Sequence, residues 1–247
     1  MQKQMLFSAI ADFYEYSVTH NCEYDRWASY VESVIKKYVG KSGKGIDAAC
    51  GSGFYTRALK RAGYSVCGVD ISDEMLTSAI GLAAKERLAI DFRKEDMTKL
   101  KSFEKVDFIT VINDGINFIP QDKLVKTLKS FNSCLKKGGL LHFDISSEYK
   151  LKNVIGNQTF CEDEDDYSYI WFNTLSDDKV EMNLSVFLKR GELYCKKECC
   201  SVEYIYTFDE IKNALDECGF ELVAADAQYG ELLKADSERI CFSAIKK

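Results

Sequence analysis

From Lys44 onward the chain alternates short β-like apolar runs with longer helical ones. This alternation constrains the fold more than any other feature, because strands joined through helices lie parallel, with the helices covering the sheet. Residues 45–50 read as a strand, 54–62 as a helix, 65–71 as a strand and 72–88 as a helix. Strands near 90–93 and over 106–112 follow, then a helix over 121–135 that Gly138 and Gly139 are expected to end, then a strand over 140–145. The expected fold class is α/β, a doubly wound and mostly parallel sheet. Ser72, Asp73 and Glu74 supply a cap and favourable first-turn charge for one helix. Pro120, the only proline, sits just before another, where its missing N–H costs little.

After residue 145 the pattern changes. Segments 167–174, 179–190 and 192–206 read as consecutive strands, with Val180, Met182, Leu184, Val186 and Leu188 alternating onto one face of the second. Short connections between successive strands make an antiparallel sheet. The acidic run 162–166 reads as a solvated loop. A helix over 208–218 and strands over 220–227 and 239–245 close the chain. The expected division is an N-terminal helical lid over 1–43, a main α/β domain over 44–146 and 207–247, and an inserted antiparallel β cap over 147–206.

A net charge of −6 and an isoelectric point near 5.2 offer no broad basic surface to neutralise a phosphate backbone, which argues against nucleic acid as the main ligand. No apolar run is long enough to span a bilayer, and the first ten residues lack the pattern of a secretory leader. A soluble, cytoplasmic protein with no membrane partner is expected. The ten cysteines are scattered through apolar runs with no C-x-x-C pair, and only His20 and His142 could join them, so buried thiols and no metal site are expected.

The chemistry concentrates at Gly45-Ile46-Asp47-Ala48-Ala49-Cys50-Gly51-Ser52-Gly53, a strand entering a small-residue turn that opens a helix. Glycines at 51 and 53 remove Cβ atoms that block a close approach to the backbone, and the helix start offers unpaired N–H groups. Asp70 stands at the end of the next strand, 19 residues after Gly51, where an acid can accept hydrogen bonds from both hydroxyls of a ribose. That placement suits NAD and S-adenosylmethionine alike. A dinucleotide fingerprint wants a third glycine where this chain has Thr56, and Asp47 would repel a pyrophosphate while suiting the cationic end of S-adenosylmethionine. Asp96 and Met97, after the third strand, read equally well as an adenine acceptor beside an apolar face or as a simple turn.

Ile46-Asp-Ala-Ala-Cys-Gly-Ser-Gly, then Gly68-Val-Asp-Ile-Ser-Asp-Glu-Met-Leu, then Glu95-Asp-Met, then Leu135-Lys-Lys-Gly-Gly-Leu-Leu resemble, in order, the successive motifs of class I S-adenosylmethionine-dependent methyltransferases. The likeness extends to a bacterial subgroup of small-molecule methyltransferases through Phe13-Tyr14-Glu15, Tyr24-Asp25-Arg26-Trp27, Asp114-Gly115-Ile116-Asn117-Phe118, Gly156-Asn157 and Tyr169-Ile170-Trp171. The inserted sheet is similar in placement to the caps of glycine and amino-sugar N-methyltransferases. The resemblance implies a Rossmann-like sheet with an antiparallel last strand and S-adenosyl-L-methionine as cofactor. It implies that Asp47, Ala48, Ala49, Gly51 and Gly53 hold the methionine end, Asp70 the ribose, and Ile71, Asp96 and Met97 the adenine, with Tyr14, Trp27, Met75 and Asn113 adding to the cofactor site. Ala49 replaces the family's usual first glycine and is expected to fit the turn with negative φ.

The implied reaction is methyl transfer to a small molecule, an amine or a hydroxyl, by a monomer or homodimer. In-line alignment supplies much of the rate for such a step, so an essential base is not required. Tyr14, His20, Asp114 and His142 are the candidate bases; each also reads as a lid, surface or core residue. Tyr14, Trp27, Phe118, Tyr169 and Trp171 read either as walls of an acceptor pocket or as an apolar seam between cap and core. A nicotinamide-dependent oxidoreductase and a non-catalytic S-adenosylmethionine-binding protein are the alternatives.

Overall fold

The computed structural model describes residues 4–5, 23–102 and 104–247. Tyr14 and His20 lie outside the described residues. After strand β1 (Gln4–Met5) and helix α1 (Tyr24–Tyr38), the chain runs β2 (Lys44–Ala48), α2 (Phe54–Arg61), β3 (Ser65–Asp70), α3 (Asp73–Lys85), β4 (Asp91–Lys94), β5 (Val106–Val111), α4 (Gln121–Cys134) and β6 (Leu135–Ser146). Four more strands follow, β7 (Thr159–Asp163), β8 (Tyr167–Leu175), β9 (Lys179–Arg190) and β10 (Leu193–Tyr204), then α5 (Phe208–Glu217), β11 (Phe220–Ala227) and β12 (Arg239–Lys246).

The main sheet has the order β11-β12-β6-β5-β2-β3-β4. β2 to β6 are mutually parallel, and β12 enters antiparallel between β6 and β11. This is the expected Rossmann-like sheet with an antiparallel last strand. Strands buried on both faces need near-continuous apolar runs, and Val106–Val111 and the second half of β6 supply them. On one face Leu124, Leu128 and Phe131 of α4 join Ile211 and Leu215 of α5 over the sheet. On the other face Trp27, Val31 and Ile35 of α1 pack with Leu59, Phe108 and Leu140, at the three-to-four-residue spacing of an amphipathic helix. Ser72 caps α3, its Oγ accepting the Met75 N–H at 3.1 Å. Thr207 and Glu210 cap α5 reciprocally.

Gly138 and Gly139 do not end α4. The helix stops at Cys134 and the next residue is already strand. Opposite β5 the register jumps from Val106 facing Leu135 to Phe108 facing Leu140, and Gly138, at φ +76°, turns the chain inside that bulge. The Lys246 ammonium donates to the carbonyls of Asn132 at 2.6 Å and Leu135 at 2.9 Å, satisfying acceptors that a glycine cap would otherwise serve.

The second sheet has the order β1-β10-β9-β8-β7, with β7 to β10 antiparallel and β1 parallel to β10. The acidic run expected to be loop contributes its first two residues to β7, an edge strand, because Thr159 to Asp163 pair with Phe172 to Ser168. A six-residue π-helix, Lys150–Ile155, leads into it. Asn117 fastens this sheet to the core: its Nδ2 donates to the carbonyls of Ser146 and Tyr204, and its Oδ1 accepts the Ser146 N–H.

Candidate active site

In the main sheet the chain order reverses between β2 and β5, and a cleft opens at the carboxyl ends of β2, β3 and β5, where open α/β sheets bind ligands. Its volume is about 680 Å³ with its open mouth included. Asp47, Ala49, Gly51 and Asp70 line it together with Met75, Asn113 and Phe118, and Tyr24, Phe54 and Tyr55 add aromatic surface.

The turn after β2 is held from both sides. The Cys50 N–H donates to the Val69 carbonyl at 3.0 Å, and the Gly51 N–H donates to Asp70 Oδ2 at 2.8 Å. Gly51 and Gly53 have φ +55° and +76°, the second as the residue capping α2. Ala49 overturns the expectation of a negative φ: it sits at +56°. Two tethers within three residues leave the chain no room to reverse otherwise, at a cost of about 1–2 kcal/mol for an L-residue in the left-handed region. A Cβ placed on Gly51 would meet no atom of the described residues within 4 Å, so among these the main chain faces open cleft there.

Asp47 is 1% exposed, and both oxygens are engaged. Thr56 Oγ1 donates to Oδ2 at 2.5 Å and Thr110 Oγ1 donates to Oδ1 at 2.9 Å. Thr56, which stands where a dinucleotide fingerprint has glycine, thus fixes the Asp47 carboxylate. Burial pushes the Asp47 pKa up to about 6 against the lowering effect of those two hydroxyls. Asp70 is also raised by burial, opposed by N–H donors from Ser72, at 2.9 Å to Oδ1, and from Gly51.

The other expected site residues are distributed unevenly. Met75 and Asn113 reach the cleft, whereas Ala48 is wholly buried in β2 and Gly53 is not among the lining residues. Ile71 is half-exposed next to Asp70, outside the lining. Asp96 caps the turn Met97–Lys99, its Oδ1 accepting from Thr98 N and Oγ1 at 2.9 and 2.7 Å, and Met97 packs on the core. Trp27 lines an adjoining hollow with Tyr229 and Arg239, which meets the cleft at Tyr24, Tyr55 and Asn113. His142 is buried mid-strand, Nδ1 3.1 Å from Ser243 Oγ, with burial lowering its pKa to about 4. It faces the Tyr30 ring at 5.7 Å on α1 and does not line the cleft. Phe118 and Trp171 pack on one cluster, while Tyr169 packs on another with Leu184.

Asp114 is drawn into a buried network that the sequence did not reveal. Its Oδ2 accepts from Ser146 Oγ at 2.7 Å and Arg239 Nη2 at 3.3 Å. Burial raises its pKa, and the charges of Arg239 and Lys150 together with the hydrogen bonds from Ser146 and Arg239 more than reverse this, so it is lowered overall. Asp144 accepts the main-chain N–H groups of Asn113 at 2.7 Å and Asp114 at 2.9 Å and pairs with Arg239 Nη1. Asn113 and Asp114 both have positive φ, +68° and +52°, so this carboxylate holds a strained loop whose first residue lines the cleft. An acid buried in β6 and an arginine opening β12 are the signal, visible only once β12 is known to pair with β6.

Residues 46–139 match the model of a family described as a methyltransferase domain. The chain is 29% identical over 247 residues to the putative methyltransferase YqeM of Bacillus subtilis (strain 168), covering 98% of each. It superposes on the crystal structure of an S-adenosylmethionine-dependent methyltransferase from Clostridium acetobutylicum ATCC 824 with a TM-score of 0.89 and 29% identity, covering 96% of this chain and 97% of that one. By these likenesses the chain is an S-adenosylmethionine-dependent methyltransferase, and its fold is consistent with class I. The same fold recurs in S-adenosylmethionine-bound CalS10, an amino pentose methyltransferase from Micromonospora echinaspora, with a TM-score of 0.76 and 16% identity over 95% of this chain and 96% of that one.

Proposed function

We propose that this methyltransferase acts on a small molecule bearing an amine or a hydroxyl, with the cofactor in the cleft between β2, β3 and β5. The observation that carries the reading is the pair of carboxylates at neighbouring strand ends, Asp47 buried and Asp70 half-buried, that line the cleft with the open main chain at Gly51. Asp47, oriented by Thr56 and Thr110, offers its remaining lone pairs to the amino group of the methionine end. Asp70, held by two N–H donors, offers the same to the ribose hydroxyls. Gly51 admits the ligand against the backbone, Met75 lies under the adenine and Ile71 at its edge, and Asn113 stands toward the methionine end.

Bound there, S-adenosylmethionine supplies an electrophilic methyl carbon on a sulfonium. The chain's own part is alignment and exclusion of water, by the aromatic wall of the cleft and by Phe118 and Trp171 from the cap side. Among the described candidate bases, His142 bonds to Ser243 in the core and Asp114 is committed to Arg239 and Ser146. That favours a nucleophile that attacks with its own lone pair. In this reading residues 147–206 form a cap over the acceptor and 1–43 a lid, and the protein works in the cytoplasm as a monomer or homodimer.

The test is thermal unfolding with S-adenosylmethionine, S-adenosylhomocysteine and NADH at equal concentrations, since a ligand of the folded state raises the melting temperature. The first two are expected to raise it and NADH is not. A rise with NADH alone would overturn the reading.

A further inference from the structure

Glu203 sits on the inner face of the cap in β10 and is 6% exposed. Its partner across the ladder is Val180, which packs with Met182, Leu151 and Ile155 against Phe118 and Trp171. Phe118 is also cleft wall, so the carboxyl lies at the seam between cap and cofactor site. Its Oε2 is buried and has no hydrogen-bond partner among the described residues. A buried acceptor left unbonded is costly, the more so when charged. The attachment of the cap does not explain it: the adjoining Tyr204 and Ile205 are fastened through their carbonyls, by Asn117 and Gln121.

The charges that act on Glu203 are those of Asp114, Lys150 and Arg239. Arg239 is shared by Asp114 and Asp144, and the Lys150 ammonium lies 3.4 Å from Ser146 Oγ. With Glu203 ionised, three carboxylates, Asp114, Asp144 and Glu203, would share two cations, Arg239 and Lys150. The group is one positive charge short. Burial, with Asp114 adding to it, accordingly pushes the Glu203 pKa up to about 8.

We propose that Glu203 anchors the methyl acceptor, its free carboxyl oxygen receiving an N–H of a protonated amine that supplies the missing charge at this seam. The inference rests on the cofactor reading of the neighbouring cleft, and it narrows the acceptor to a molecule that carries a cationic amine as its anchor. The methyl goes to a separate neutral nitrogen or oxygen, whose own lone pair forms the new bond as the bond from sulfur to methyl breaks, with any surplus proton leaving to water. The half-buried side chains of Phe118 and Lys150 are what the acceptor displaces to reach the carboxyl. Glu203 then sets specificity from the cap, as Asp47 and Asp70 set it from the sheet.

The experiment is calorimetry on protein loaded with S-adenosylhomocysteine, titrated with benzylamine, benzyl alcohol and benzoate at pH 7, for the unaltered chain, Glu203→Gln and Glu203→Leu. Benzylamine is expected to bind the unaltered chain at least tenfold more tightly than the other two, and both variants are expected to lose that preference while binding S-adenosylhomocysteine normally. In ligand-free protein Glu203→Leu is expected to raise the melting temperature by about 2–4 °C, because it removes an unbonded buried oxygen. Equal binding of the three probes, no binding of any, unchanged benzylamine affinity in Glu203→Leu, or a lowered melting temperature in that variant would each overturn the proposal. Failure of S-adenosylhomocysteine to bind the unaltered chain would fall on the cofactor assignment, and the melting comparison would still decide the role of Glu203.

Discussion

Asp47 in the cleft and Glu203 in the cap are buried almost equally, at 1% and 6% exposure, but their surroundings differ. Two threonine hydroxyls reach Asp47 from α2 and β5, one to each oxygen, and they hold its pKa near 6 against full burial. Glu203 has an oxygen with no donor among the described residues, and its pKa is pushed up to about 8. The sheet side of the site is therefore finished before any ligand arrives, with its carboxylates oriented and their charge retained near neutrality. On the cap side the polar group still lacks its partner. In the proposed reading the preformed half takes the cofactor and the unfinished half takes the acceptor.

The contrast assumes that buried carboxylates in this fold depend on their partners, and Arg239→Leu tests this hardest. It leaves Asp144 wholly buried with its charge uncompensated and Asp114 little better placed. A loss of about 3–5 kcal/mol in denaturant unfolding is expected. A loss below about 1 kcal/mol would show that such acids need no partner here, and the argument from the orphan oxygen of Glu203 would collapse with it. Asp70→Ala bears on the finished half. It removes the acceptor of the Gly51 and Ser72 N–H groups along with the proposed ribose contact, and calorimetry is expected to show S-adenosylmethionine affinity falling about 100-fold, near 2.7 kcal/mol, in a protein that still folds. Unchanged affinity would remove Asp70 from the site.

The sheet half was legible in the sequence because its chemistry is local. The strand, the turn and Gly51 follow one another in the chain, and Asp70 ends the next strand, so spacing alone brings them together. What the sequence did not show depends on long-range pairing. Asp144 and Arg239 meet because β12 inserts beside β6, and Glu203 reaches Asp114 only through the packing of β10 on the turn Gly115–Phe118. The edge strand β7 was missed because Thr159-Phe-Cys-Glu-Asp carries too little alternation to stand out from an acidic loop. Ala49 misled for a different reason: residue type argues for negative φ, and tertiary tethers at Cys50 and Gly51 override it.

pH separates the two halves more finely. Glu203 is raised from 4.5 to about 8 and Asp47 from 3.8 to about 6, so the folded state holds both protons longer than the unfolded state does. Stability is therefore greatest at low pH in respect of these groups, and it falls as each ionises, through about 6 for Asp47 and about 8 for Glu203. Unfolding free energy measured from pH 6 to 8.5 is expected to decline in the unaltered chain and to lose that decline in Glu203→Gln. Ligand binding through Asp47 has the opposite sign, since the cationic methionine end needs the carboxylate. S-adenosylmethionine affinity is expected to drop about fourfold between pH 7 and 5.5, with Asp47→Asn abolishing the dependence. A decline in stability that persists in Glu203→Gln would place the titrating group elsewhere.

The smallest effect tests how rigid the finished half is. Ala49 occupies φ +56° against its preference, while its methyl group lies 3.4 Å from where Gly115 would carry a Cβ, so the turn and the loop after β5 already touch. Ala49→Gly relieves the backbone, at some cost in unfolded-chain entropy, and a net gain of about 1 kcal/mol in denaturant unfolding is expected. If the turn is fixed by its tethers at Cys50 and Gly51, cofactor affinity stays the same, because the donors and carboxylates do not move. A stabilised variant that binds S-adenosylmethionine several-fold more weakly would mean that the alanine, through its contact with the loop, is itself part of what holds the cleft in shape.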